Sequence, residues 1–171
     1  MPEMIVLSTD FGLEGPYVGQ VKGVLYRQAP NCDIIDLFSD LPRFNPNASA
    51  ALLAAYSRNF PDGSVFLSIV DPGVGMPERL GIVVKANGYW FVGPGNGLFD
   101  LVLQQDSRAQ CWEITWQPDS LSDSEIYLHP SQLSWHWINS QKINCRFCQH
   151  MTTLQLVLTI LISHMSITLE T

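Results

Sequence analysis

Met4-Ile-Val-Leu-Ser-Thr-Asp-Phe-Gly12 and Val65-Phe-Leu-Ser-Ile-Val-Asp-Pro-Gly-Val-Gly75 decide the fold of this chain. Each is a short apolar run that ends in an aspartate and a glycine-bearing turn, the pattern of a buried strand feeding a polar loop. Between them, Pro16 to Arg27 carries Tyr17, Val21, Val24 and Leu25 close to helical spacing, with Pro16 suited to a first helical turn. Asp33 to Leu37 reads as a second strand, and Ala- and Leu-rich Asn47 to Tyr56 as a second helix closed by Phe60-Pro-Asp-Gly63. Beyond Gly75, Leu80 to Lys85 and Tyr89 to Val92 flank Asn87-Gly88, a hairpin signal, and Cys111 to Trp116 supplies one more strand. Strand, helix, strand, helix, strand at this spacing predicts an α/β fold, a mostly parallel sheet with covering helices. In such sheets ligands bind beyond the carboxyl ends of the strands, where the turns at Asp10 and Asp71 fall.

Composition agrees with a folded α/β protein. The 171 residues are 46% hydrophobic and 15% charged, which supports a buried core and excludes a mostly disordered chain. A formal charge of −7 argues against a nucleic-acid surface, which needs clustered Lys and Arg, and fits a small or cationic ligand better. Met1 is not followed by the basic and apolar regions of a secretory signal, and the apolar run from Leu154 to Ile162 is too short for a bilayer. A cytoplasmic protein with four reduced cysteines and no membrane or nucleic-acid partner is expected.

The three turns each admit two readings. Asp71-Pro-Gly-Val-Gly75 lets backbone approach a ligand beside an aspartate that can hold a water, a hydroxyl or a cation; it equally fits an Asx-turn closing the strand. At Thr9-Asp10-Phe11-Gly12 the carboxylate is placed to accept hydrogen bonds from a ribose diol, or to cap the following helix. No G-x-G-x-x-G follows, so it is not a dinucleotide fingerprint. Gly93-Pro-Gly-Asn-Gly97 is a further tight turn.

The chain changes character near Ser124. From Glu125 onward only Glu125, Lys142, Arg146 and Glu170 are charged, all four histidines lie there, and no glycine occurs after Gly97. Cys145-x-x-Cys148-x-His150 has zinc-type ligands but no second paired cluster, so no metal is expected. A single helix over Leu154 to Ile167 is the most this segment suggests. The expected division is therefore an α/β domain over 1–122 and an atypical, poorly folded tail over 123–171.

Taken in series, Ile5-Val-Leu-Ser-Thr-Asp-Phe-Gly12 with Pro16-Tyr-Val-Gly-Gln-Val-Lys-Gly23, Val70-Asp-Pro-Gly-Val-Gly75 and Phe91-Val-Gly-Pro-Gly-Asn-Gly-Leu98 resemble the S-adenosylmethionine hydroxide adenosyltransferases, relatives of the fluorinating and chlorinating enzymes. The resemblance runs from about Met4 to about Ser122. It implies a Rossmann-like N-terminal domain, which in that family is followed by a β-rich C-terminal domain and assembles as a homotrimer. It implies attack of water or hydroxide on C5′ of S-adenosylmethionine, giving adenosine and L-methionine with no cofactor. It places Asp71 and Arg79 in catalytic roles and Asp10, Phe11, Gly12, Phe44, Val74 and Asn96 in substrate binding, with Asp10 on the ribose hydroxyls. A halogenase is disfavoured, because Asp71 sets a negative charge where a halide would sit.

Departures accompany the resemblance. The family arginine falls seven residues after the aspartate, where this chain has Glu78, with Arg79 one later. Phe38-Ser39 stands in place of a Thr-His pair, and Gly95 in place of Asp or Asn. The family's catalytic histidine, in a stretch that continues Phe-Ala-Pro, is absent after Ser124. One allowed set of codons for Ser124 to Leu133, read from its third base, yields Arg-Asp-Ile-Phe-Ala-Pro-Val-Ala-Ala, the family-like continuation. The expectation is a frameshift near Ser122 to Ser124, a truncated enzyme of weak or no activity, and an out-of-frame tail. The rival expectation is a non-catalytic nucleoside-binding or interaction module with a folded tail.

Overall fold

The computed structural model describes residues 4–72 and 81–114. The expectations for Gly73, Val74, Gly75, Arg79, the Cys145 cluster and the whole tail lie outside the described residues. Within them the chain forms β1 (Met4–Thr9), α1 (Tyr17–Gln28), β2 (Asp33–Phe38), α2 (Pro46–Tyr56), a single 3-10 turn (Ser57–Asn59), β3 (Val65–Ile69), β4 (Gly81–Ala86), β5 (Tyr89–Pro94), α3 (Asp100–Gln104) and β6 (Gln110–Ile114). Each strand and long helix expected within the described residues is present, with ends moved by one or two residues; the helix suggested over Leu154 to Ile167 and the end of the strand expected up to Trp116 lie outside them. The short α3 was not expected: its five residues are too few to display a helical period.

The described strands make one sheet in the order β2-β1-β3-β5-β4-β6. β1 runs parallel to β2 and β3, and β3 parallel to β5, whereas β4 is antiparallel to both β5 and β6. The chain leaves β1 through α1 to β2 on one side, then returns through α2 to β3 on the other. Right-handed crossovers in opposite directions must put their helices on opposite faces. Accordingly Val21 and Leu25 of α1 pack with Ile5, Leu7, Val65 and Leu67. Leu53 and Ala54 of α2 and Val102 of α3 pack with Val6, Phe66 and Phe91 on the other face. The aromatic centre of that second cluster is tight: the Phe66 and Phe91 rings stack at 4.9 Å, and Phe60 meets Phe66 edge-on at 5.3 Å.

Local chemistry sets the ends of the elements. Asn45 caps α2 by accepting from the Ala48 N–H at 3.1 Å, with Pro46 at the start of the helix. Asn87, with φ of 53°, and Gly88 make the two-residue turn between β4 and β5, as the dipeptide requires. Gly93 of β5 passes so close to β3 that a Cβ would run into the Ser68 carbonyl oxygen. Only a bare Cα fits there.

Candidate functional site

Strand order reverses between β1 and β3, so the loops leaving their carboxyl ends diverge and open a crevice. Asp10 directly follows the end of β1, and Asp71 lies two residues beyond the end of β3. The parallel register joins Thr9 to Ile69, and the Asp10 N–H continues it by donating to the Ile69 carbonyl at 3.3 Å. The two aspartates are therefore neighbours at one mouth, and Asp71 is close enough for its charge to oppose ionisation of Asp10.

Asp10 does not cap α1. Its Oδ2 accepts from the backbone N–H of Phe44 at 3.0 Å, across to the loop between β2 and α2. Two further bonds tie the same segments together: Leu41 N–H to the Thr9 carbonyl at 3.0 Å, and Gly12 N–H to the Ser39 carbonyl at 2.6 Å. Burial pushes the Asp10 carboxyl above its ordinary value; the Phe44 N–H, its own N–H and the nearby Arg43 guanidinium oppose that rise, and Asp71 adds to it.

Phe44 delivers its N–H from an unusual backbone. Its φ of 55° is left-handed, a conformation that costs a bulky residue energy and persists where surrounding structure holds it. The ring itself is 59% exposed, and Leu13, in the loop that leaves β1, is 79% exposed. Phe11 is half-buried, its ring 6.0 Å from that of Tyr17. Asn96, in the turn after β5, donates its side-chain amide to the Val70 carbonyl at 2.8 Å and accepts from the Leu98 N–H at 3.3 Å. It thereby fastens the third turn to the backbone that immediately precedes Asp71.

Six expected site residues thus meet at one end of the sheet: Asp10, Phe11, Gly12, Phe44, Asp71 and Asn96. Beneath them Ser8, Thr9 and Ser68 carry buried hydroxyls with no hydrogen-bond partner among the described residues, an uncommon cluster for a packed core. Sequence reasoning missed Arg43, whose position beside Phe44 in the same loop was the available signal. Among the described residues no group of three His, Cys, Asp or Glu is placed to hold a metal ion. Among the described residues, burial raises the thiol pKa of both Cys32 and Cys111.

Residues 5–131 match the model of the SAM hydroxide adenosyltransferase N-terminal domain. The chain belongs to this family. Its curated relatives include an (R)-S-adenosyl-L-methionine hydrolase of Thermus thermophilus, 46% identical over 98 residues that make up 57% of this chain and 37% of the relative. One of Methanocaldococcus jannaschii is 35% identical over 107 residues, 60% of this chain and 40% of that protein. A fluorinase of Nocardia brasiliensis is 22% identical over 134 residues, 66% of this chain and 45% of that one. Among solved structures, an uncharacterised conserved protein from Thermotoga maritima superposes with a TM-score of 0.65 at 33% identity, covering 77% of this chain and 54% of its own. The chain spans less than half the length of these curated relatives. Among the described residues no helix is long and apolar enough to cross a membrane.

Proposed function

We infer that this chain descends from an S-adenosylmethionine hydrolase and keeps the ribose and nucleophile side of its site. One observation carries the reading: two aspartates from different strands share the mouth at the switch point, one of them already fixed by a backbone N–H. In the proposed reaction a water oxygen attacks C5′ of S-adenosylmethionine as the C5′–S bond breaks. The electron pair leaves with sulfur, methionine departs as a neutral thioether, and the proton lost by water passes to solvent. Asp10 accepts from the ribose hydroxyls, Phe44 covers the sugar, and Phe11, Gly12, Val74 and Asn96 shape the pocket. Asp71, with Arg79, orients the water. The sulfonium is already a good leaving group, so positioning and desolvation are the main tasks. Paired carboxylates favour a cationic substrate and oppose a halide, which supports hydrolysis over halogenation despite the likeness to fluorinases.

Turnover by this chain is proposed to be weak or absent, because the family histidine stretch does not follow Ser124. Loss of such a positioned group typically lowers rates by about 10²-fold or more. Incubation with S-adenosylmethionine and chromatography should give little or no adenosine, while calorimetry detects adenosine binding that Asp10→Asn weakens. Turnover close to that of full-length relatives would refute the weak-enzyme reading; absence of any adenosine binding would remove the nucleoside site itself. The frameshift remains part of this proposal, and the gene sequence between the codons of Pro118 and Leu133 decides it.

A further inference from the structure

Arg43 is specifically placed beside the Asp10 site. It is an exposed cation in the loop between β2 and α2, directly before the residue whose N–H holds Asp10. Its guanidinium reaches the turn after β1. A Cβ on Gly12 would fall 2.6 Å from the Arg43 Nη2, so the side chain occupies the space that a bare Cα leaves open. Gly12 itself holds a φ of 89° and is bonded to Ser39 of the same loop, so both sides of this contact are anchored.

The charge balance gives the contact a purpose. Two carboxyl groups at one mouth repel, and burial disfavours the ionised form of Asp10 further. Among the described residues Arg43 is the cation that opposes the rise of the Asp10 carboxyl, acting through space. Glu14 of Asp10's own turn and Asp40 of the Arg43 loop are exposed to solvent, and Asp71 is the acidic group that acts on Asp10.

We propose that Arg43 is a positioning residue: seated on Gly12, it is the counter-charge that keeps Asp10 an anionic acceptor for the vicinal hydroxyls of a nucleoside. The proposal rests on the reading of Asp10 as the diol acceptor, and it assigns Arg43 no contact with the ligand. A protonated carboxyl turns one of its acceptor oxygens into a donor and loses the charge-assisted bond to a hydroxyl. Removing Arg43 therefore raises the pH below which the site stops gripping a diol.

The test follows the Asp10 carboxyl directly by carbon-13 NMR titration of the labelled full chain, with Asp10→Asn identifying its resonance. Arg43→Gln should move the midpoint upward by roughly half a pH unit, the effect of a unit charge several ångströms away through water-like surroundings. Arg43→Lys should restore most of the original midpoint. An unchanged midpoint in Arg43→Gln would overturn the proposal. Adenosine calorimetry across pH supplies the second readout: Arg43→Gln should match the parent chain at high pH and weaken earlier as pH falls. Equal weakening at every pH would mean that Arg43 touches the ligand, which also overturns it. If the parent chain binds no adenosine, the nucleoside reading falls, while the carboxyl titration still decides what Arg43 does to Asp10.

Discussion

Asp10 is where function and stability oppose each other. Its folded carboxyl titrates above the ordinary value mainly because burial penalises the anion. The sign follows from proton linkage: a group that holds its proton more tightly when folded favours folding at acid pH and costs stability once both states are ionised. That cost is absent below the unfolded carboxylate range and is complete above the raised folded value. Asp10→Asn keeps an oxygen for the Phe44 N–H but cannot ionise. Thermal unfolding should show this variant melting higher than the parent at neutral pH, with the gap closing on acidification. A variant that melts lower at pH 7 would mean that the charge is favourable where it sits. Residue identity made Asp10 legible from the sequence, since a carboxylate after a buried strand has few uses. For Arg43 the sequence offered only its adjacency to Phe44: its contact with Gly12 joins residues 31 positions apart, and no local pattern encodes that.

At the scale of elements, local rules account for most of what the sequence revealed. The period of α1, the Ala- and Leu-rich run of α2 and the Asn-Gly turn are short-range chemistry, so their existence was readable while their ends moved by a residue or two. Cap and interior positions can be tested separately. Asn45→Ala removes the one side-chain acceptor at the start of α2 and should cost about 1 kcal/mol. Gly23 lies exposed inside α1, and a Cβ there meets nothing within 4 Å. Gly23→Ala should therefore stabilise by about 0.5–1 kcal/mol through helix propensity alone. Denaturant melts of both variants check the pair. Destabilisation by Gly23→Ala would show that this helix face packs against something the isolated chain does not display.

Across the whole molecule, topology rather than any single motif creates the site. The order β2-β1-β3-β5-β4-β6 brings together turns more than sixty residues apart, and a strand pattern alone gives neighbours only once the crossovers are known. The same topology gives 4–72 and 81–114 two apolar clusters, one on each face of a single sheet, so this part has its own reason to fold. An out-of-frame tail, as proposed, would carry no selected packing, in keeping with its four charged residues after Ser124 and its lack of glycine. Proteolysis discriminates between these origins, because cleavage requires backbone to open locally and a packed sheet resists it. Chymotrypsin has sites in both parts, including Phe66, Phe91 and Tyr89 in the sheet and Tyr127, Trp135, Trp137 and Phe147 in the tail. Brief digestion followed by intact-mass spectrometry should remove residues beyond Ser124 first and leave the sheet whole. A tail that survives as long as the sheet would favour the folded interaction module, and with it a selected reading frame through to Thr171.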